Sequence, residues 1–297
     1  MDIVAPLIHD IILEMIDGRG APPTDFNFAY LICLPKGSGE LVDGGLRCYD
    51  ASSTRPLSIV DSINRIIASV FRLVLERQVH TWISYQQRGF VCGRQMLLNI
   101  IDVDFAAQKI SIKSARGAIL LLDFRAAFPS MCHSFIWDTL ESIGLPRQFI
   151  KALQLFYVED KHWIRIGANL VESVTVHSGV RQGCPLSPII FALCADVLLR
   201  VIQTLLHGDE IARAFADDTA IVLSDYLVTL PALCKTFQEY SRISALTLNI
   251  SKTVFIPLWG TECLQNVRNL LRECCPPWRD IMIDTCGKYF GFFGRAR

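Results

Sequence analysis

Apolar and polar positions change rhythm along this chain often enough to mark out most of its elements. Val4 to Ile16 has helix-like apolar spacing, stops at Gly18 and is followed by the breaker Pro22-Pro23. Phe26 to Leu34 reads as a strand. From Ser38 to Thr54 the chain is rich in Gly, Ser and Asp, with Gly44-Gly45 inside, which predicts a loop or hairpin tip. A helix is predicted from about Asp61 to Trp82, because Ile63, Ile66, Ile67, Val70, Phe71, Val74 and Leu75 recur at helical spacing and Asp61 or Ser62 can cap it. A second helix runs from about Gln95 to Ile112. Ala118 to Leu122 is an unbroken apolar run, as expected of a strand buried on both faces.

Helical stretches follow around His133–Ser142 and Arg147–Glu159. Trp163–Ile166 and Val171–Val176 alternate around Gly167-Ala168-Asn169, a hairpin signal. The segment Ser178 to Pro188 carries two glycines and two prolines and forms a shaped loop ahead of a long apolar helix, Ile189 to Leu206. Ile211 to Leu223 reads as two short strands with Asp217-Asp218 between them. A helix from about Thr229 to Ala245, a helix over Glu262–Glu273, the breaker Pro276-Pro277 and a strand at Lys288–Phe292 complete the chain.

Composition narrows the class. The chain has 297 residues, 51% hydrophobic and 20% charged, enough for a sizeable core and too apolar for global disorder. Lys plus Arg equals Asp plus Glu at 29 each, so no broad field attracts nucleic acid, and a polymer substrate must be gripped by a local basic groove. The 11 cysteines include no Cys-x-x-Cys pair, and Cys274-Cys275 lacks zinc spacing, which fits free thiols in a reducing compartment. The N-terminus shows no secretory signal pattern. The longest apolar stretch, Pro188 to Leu199, is too short to span a bilayer and contains Asp196. These features predict an intracellular protein, nuclear or cytoplasmic and not secreted, with no membrane partner.

The candidate chemistry lies in the acidic residues. Asp123 ends the apolar run 118–122, and Asp217-Asp218 sits in a predicted strand turn. A lone buried carboxylate costs several kcal/mol, so such groups are usually paired, protonated or on a metal. Carboxylates from two adjoining strands can hold two Mg²⁺ ions about 3.5–4 Å apart, the arrangement used for in-line phosphoryl transfer. The alternative is a turn that uses aspartate for local hydrogen bonds. Side chains alternate along a strand, so only one of the adjacent pair is expected to be a principal ligand.

Several short blocks occur in one order: Leu34-Pro35-Lys36, Arg55-Pro56-Leu57-Ser58, Gln87-Arg88-Gly89-Phe90, Leu122-Asp123-Phe124-Arg125-Ala126-Ala127-Phe128, Gly179-Val180-Arg181-Gln182-Gly183-Cys184-Pro185-Leu186-Ser187-Pro188, Phe215-Ala216-Asp217-Asp218, Leu248-Asn249-Ile250-Ser251-Lys252-Thr253 and Lys288-Tyr289-Phe290-Gly291. Together they resemble the fingers and palm of a reverse transcriptase, in particular the non-LTR retrotransposon and group II intron enzymes. The resemblance implies an α+β right-hand polymerase fold, with an antiparallel palm sheet backed by helices and a helix-rich fingers subdomain. Residues 1–115 would be mainly fingers and 116–297 mainly palm, interleaved. It implies RNA-directed DNA synthesis on an RNA template and DNA primer from deoxynucleoside triphosphates, with two Mg²⁺ ions, or Mn²⁺, as cofactors.

The resemblance also carries residue roles. Asp123 and Asp217 would be the main metal ligands, with Asp218 beside them tuning the charge and the Phe124 carbonyl completing one shell. Phe128 would lie under the sugar and exclude a 2′-hydroxyl, or else be plain core. Lys36 and Arg55 would hold the triphosphate, or be solvated surface charges. Their separation is longer than the family's usual spacing. Gln182 and Gly183 would shape the pocket around base and template. Arg181 would contact template phosphate or lie in solvent. Lys252 would protonate the pyrophosphate leaving group or be freely solvated. Tyr289 and Gly291 would support the primer end.

Nothing in the chain matches the family's helical thumb, an endonuclease domain or a zinc knuckle. That reads as a truncated frame, a fragment or an element remnant, whose rival function is at most silent nucleic-acid binding. A viral RNA-dependent RNA polymerase shares the palm, but Phe128 and the alanine before Asp217-Asp218 speak against it.

Overall fold

The computed structural model describes all residues except 1–3, 21, 43, 51–52, 167–168, 260–263, 290–291 and 296–297. The chain opens with helix α1 (Val4–Asp17) and strand β1 (Ala29–Pro35). The Gly-rich segment is a small hairpin, β2 (Glu40–Val42) and β3 (Leu46–Cys48), and it leads into β4 (Thr54–Val60). Pro56 hides β4 in the sequence, since proline removes a ladder donor. The strand lies at the edge of its sheet, where that loss is tolerated. Helix α2 (Ser62–Glu76) ends earlier than its apolar spacing predicts, and the short α3 (Val79–Trp82) follows.

Next come α4 (Met96–Lys113), β5 (Ala118–Leu122), the single turn α5 (Ala127–Ser130), α6 (His133–Ser142) and α7 (Arg147–Gln154). Strands β6 (Lys161–Ile166) and β7 (Asn169–Thr175) form the expected hairpin, whose tip residues Gly167 and Ala168 lie outside the described residues. Helix α8 (Ser187–Leu205), β8 (Ile211–Phe215), β9 (Asp218–Leu223) and α9 (Tyr226–Ser244) follow. Strand β10 (Val254–Pro257), helix α10 (Leu264–Cys274), and strands β11 (Met282–Ile283), β12 (Cys286–Tyr289) and β13 (Phe292–Arg295) complete the fold.

The chain divides into two compact units, residues 1–75 with 140–188, and residues 76–139 with 189–297. They part at three points in the chain, none of them near residue 115. The first unit contains a four-stranded sheet in the order β4-β1-β6-β7, antiparallel except for the β1–β6 pair. The second contains a five-stranded sheet in the order β11-β10-β5-β9-β8, antiparallel except for β10–β11.

Strand β5 is central in the second sheet, and all five of its residues are buried, as an unbroken apolar run demands. Helix α4 lays Val103, Ala106, Ala107 and Ile110 against Ile119, Leu121, Ala220, Val222 and Ile256 of the sheet. Each fully buried large aliphatic there contributes about 1.5–3 kcal/mol, so the strand end that carries Asp123 is set on a rigid base. Helix α8, at 19 residues, is long and apolar enough to cross a membrane by length and composition. Here Ile189, Ile190, Phe191, Ala192, Leu193 and Cys194 are all buried, and its Asp196 carboxylate is met by the Arg200 guanidinium at 2.8 Å and the Ser84 N–H at 3.0 Å. That is the pattern of a core helix with its one buried charge compensated.

Candidate active site

The register of the second sheet brings the aspartates together. Strands β5 and β9 pair Ala118 with Leu223 and so on to Leu122 with Thr219, where the ladder ends. Asp123 therefore leaves β5 beside the point where Asp218 enters β9. The β8–β9 hairpin pairs Phe215 with Asp218, which leaves Ala216 and Asp217 as a two-residue turn. The expectation that both aspartates sit in the turn is thus corrected: Asp218 is the first residue of the strand. Ala216 has φ +59°, the pattern of a turn whose first central position is normally glycine. An alanine held left-handed costs about 1–2 kcal/mol.

Segment 247–253 runs alongside the strand end. Asn249 N–H donates to the Asp123 carbonyl at 2.8 Å, and Arg125 N–H donates to the Thr247 carbonyl at 2.8 Å. Lys252 Nζ then stands 3.5 Å from Asp123 Oδ2, within ion-pair range but longer than a charge-assisted hydrogen bond. Asp123 Oδ2 is shielded from solvent and accepts no hydrogen bond. The charges interact. Burial pushes the Asp218 carboxyl up to about 6, the negative charges of Asp217 and Asp123 push it the same way, and Lys252 opposes them.

Among the described residues, no three His, Cys, Asp or Glu side chains already gather at metal-holding distance. The donor set nevertheless fits a hard divalent cation. It is all oxygen, it carries mutually repelling carboxylates, and it includes a shielded carboxylate oxygen without a hydrogen bond. Phe124 forms an antiparallel bridge with Leu248 whose two bonds use the Asp123 carbonyl and the Arg125 N–H. The Phe124 carbonyl lies outside that pair of bonds. Its ring is buried, with its centroid 6.1 Å from that of Phe237.

Phe128 is half-buried. Its ring stacks on Phe191 at 4.6 Å with an 8° tilt, and Phe90 meets it edge-on at 6.0 Å. Tyr289 pairs with Phe292 in the β12–β13 hairpin, its side chain lies outside the described residues, and so does Gly291 altogether. The hairpin sits on β5 and β10, since a Cβ at Gly287 would meet Leu121 Cδ1 at 2.7 Å.

In the first unit, β1 and β4 pair Leu34 with Arg55 and Pro35 with Thr54, and Lys36 N–H donates to the Ser53 carbonyl at 2.8 Å. Lys36 and Arg55 are thus diagonal neighbours across two strands, both exposed. The long sequence separation between them is taken up by the β2–β3 hairpin. Gln182 is held to β4, its carbonyl accepting from Ser58 N–H at 2.8 Å. Gly183 has φ +110°, and a Cβ there would meet the Ser58 carbonyl oxygen at 2.8 Å.

Arg181 departs from both expectations for it, since it neither lies in solvent nor reaches outward. It is buried, its Nε donates to Asp160 Oδ2 at 2.8 Å, and its Nη2 donates to the Phe156 carbonyl. A buried guanidinium needs such partners, and Asp160, itself beside His162 Nε2 at 3.1 Å, supplies the counter-charge. Arg181 anchors the loop that carries Gln182. The residue missed in the sequence is Gln87, which belongs to one of the ordered blocks and is fully buried against the Ala216 turn. A glutamine two positions before a glycine was its only local sign.

A family model for reverse transcriptase (RNA-dependent DNA polymerase) matches residues 35–291. The chain is similar to the retrovirus-related Pol polyprotein from type-1 retrotransposable element R2 of Popillia japonica, 27% identical over 293 residues, covering 94% of this chain and 40% of that protein. It is 30% identical over 212 residues to the Pol polyprotein from type-2 retrotransposable element R2DM of Drosophila melanogaster, covering 69% of this chain and 20% of that one. Among solved structures, a telomerase from Candida albicans in complex with a TWJ fragment of telomeric RNA matches with a TM-score of 0.62 at 12% identity, over 93% of this chain and 47% of that chain. At that identity the likeness speaks for the fold alone.

Proposed function

The chain belongs to the reverse transcriptase (RNA-dependent DNA polymerase) family, and on that premise we propose that it adds deoxynucleotides to a primer 3′-hydroxyl under the direction of an RNA template, as part of a retroelement protein. The chain spans 40% of one curated relative and 20% of another, so this is a reading of the matched part. The observation that carries it is the β5–β9 register, which sets Asp123 beside Asp218 and the Asp217 turn, with Lys252 next to Asp123.

In this reading the second unit acts as the palm and the first supplies the fingers. Asp123 and Asp217 would hold the cations, with the Phe124 carbonyl and Asp218 beside them. When bound, a pair of Mg²⁺ ions lowers the cost of ionising the 3′-hydroxyl and neutralises the triphosphate. Lys252 gives a proton to the departing pyrophosphate oxygen. Phe128, braced by Phe191 and Phe90, presents a ring that leaves no room for a 2′-hydroxyl. Lys36 and Arg55 bind phosphate oxygens, Arg55 as a fork and Lys36 as a point charge. Gln182 and Gly183 shape the base pocket, and Tyr289 and Gly291 support the primer end. The setting is intracellular, nuclear or cytoplasmic.

The test is primer extension on an RNA template with Mg²⁺, comparing the native chain with Asp217→Ala. Extension with deoxynucleotides that is lost in the variant is the expected result. Extension with ribonucleotides in preference to deoxynucleotides contradicts the reading, and so does extension that survives Asp217→Ala.

A further inference from the structure

The turn that carries Asp217 is held by a side chain outside the carboxylate cluster. Gln87 is fully buried, and its amide brackets Ala216. Its Oε1 accepts from Ala216 N–H at 2.9 Å and from Gly89 N–H at 2.8 Å, and its Nε2 donates to the Ala216 carbonyl at 3.1 Å. The peptide planes on both sides of Ala216 are therefore fixed by one side chain, and the second of them begins Asp217. Ala216 is the residue held at φ +59°.

The neighbours of Gln87 serve the same contact. A Cβ at Gly89 would lie 2.0 Å from Ala216 N, so only glycine admits the approach. Ala214 N–H donates to the Gln86 carbonyl at 2.9 Å, and Arg88 N–H donates to the Ala214 carbonyl at 2.8 Å, which ties the segment to β8. Arg88 and Arg213, the latter in β8, both donate to Asp102 Oδ2 at 2.7 Å, and Arg88 lies over the Tyr85 ring at 4.5 Å.

We propose that Gln87 is a positioning residue: by clamping the Ala216 peptides it sets the direction in which Asp217 presents its carboxylate. This rests on the reading of Asp123, Asp217 and Asp218 as the cation-holding set. A residue that merely filled the volume could be replaced by an apolar isostere. What that replacement would lose is the set of hydrogen bonds to the turn.

The test compares the wild-type chain, Gln87→Met, and Gln87→Met combined with Ala216→Gly. Glycine removes the left-handed strain, so the double variant keeps the fold without the clamp. Mn²⁺ affinity is measured by electron paramagnetic resonance titration, folding by thermal melting, and activity by kcat and KM for deoxynucleotide in primer extension. The double variant is expected to melt near wild type, to bind Mn²⁺ about tenfold more weakly, and to lose kcat with little change in KM. A double variant that regains wild-type Mn²⁺ affinity and kcat along with its melting temperature overturns the proposal and makes Gln87 a structural support only. A wild-type chain that binds no Mn²⁺ overturns instead the reading of the carboxylates on which the proposal stands.

Discussion

Lys252 Nζ lies 3.5 Å from Asp123 Oδ2, and backbone bonds bring the two together. Asn249 N–H binds the Asp123 carbonyl at 2.8 Å, and Lys252 N–H binds the Asn249 carbonyl at 3.1 Å, so a tight turn delivers the ammonium to the strand end. The Lys252 side chain is 67% exposed, so solvent or a ligand can reach it. Lys252→Met is expected to lower the single-turnover rate of nucleotide addition by about 10²-fold, the usual scale for a lost general acid. Lys252→Arg should not restore it, because a guanidinium does not release its proton. Unchanged rates in both variants would make Lys252 a solvated charge.

Asp218 makes stability depend on pH in a defined direction. Burial, then Asp217 and Asp123, push its carboxyl up to about 6 from 3.8, so the folded chain binds this proton more tightly than the unfolded one. The stabilisation from that proton is complete below the unfolded value of 3.8 and is lost as pH rises through about 6. In chelator, Asp218→Asn should therefore raise stability at pH 8, by roughly 1 kcal/mol after allowing for solvent screening, and leave it unchanged below about pH 4. Urea unfolding across pH reads this directly. A gain that persists at low pH would assign the effect to something other than ionisation.

Phe128 is held on one face by Phe191 at 4.6 Å and at its edge by Phe90. Phe128→Val should raise ribonucleotide incorporation relative to deoxynucleotide by about 10- to 100-fold. The lost stacking should cost about 1–2 kcal/mol of stability. Competition assays on an RNA template measure the ratio. A stability loss with no change in sugar selection would make the ring plain core.

Arg181 is expected to behave as an anchor. Arg181→Met strands the Asp160 carboxylate, which lies 2.8 Å from the guanidinium, and should cost about 3–5 kcal/mol. At a temperature where the variant stays folded, the slope of log affinity for RNA against log salt should match wild type, because no phosphate contact is lost. A shallower slope would restore Arg181 to the nucleic-acid surface.

The parts of this fold that could be read from sequence are those where pattern and burial agree. Ala118–Leu122 is apolar throughout because β5 is central, and Ile211–Leu223 reads as a hairpin because its two strands flank a short polar pair. Two central features could not be read that way. Pro56 and the brevity of Val254–Pro257 conceal β4 and β10, since their strand character comes from their partners and not from their own periodicity. Helix α2 stops at Glu76, where the first unit meets residues of the second in sequence, although the apolar spacing continues. Within the site, Asp123, Asp217 and Lys252 are singled out by type and order, but their proximity depends on strand register. Arg181 and Gln87 look like surface residues in sequence because their partners, Asp160 and the Ala216 peptides, are distant along the chain or are backbone.

In the proposed function Asp123, just past the end of β5, and Asp217, in the turn between β8 and β9, serve one cation site. Fe²⁺ in place of Mg²⁺, with ascorbate and peroxide, cuts the backbone close to wherever it binds. Cuts are expected near residue 123 and near 217–218, suppressed by excess Mg²⁺ and lost in Asp123→Asn. Cuts confined to other parts of the chain, or a pattern that Asp123→Asn leaves intact, would contradict it.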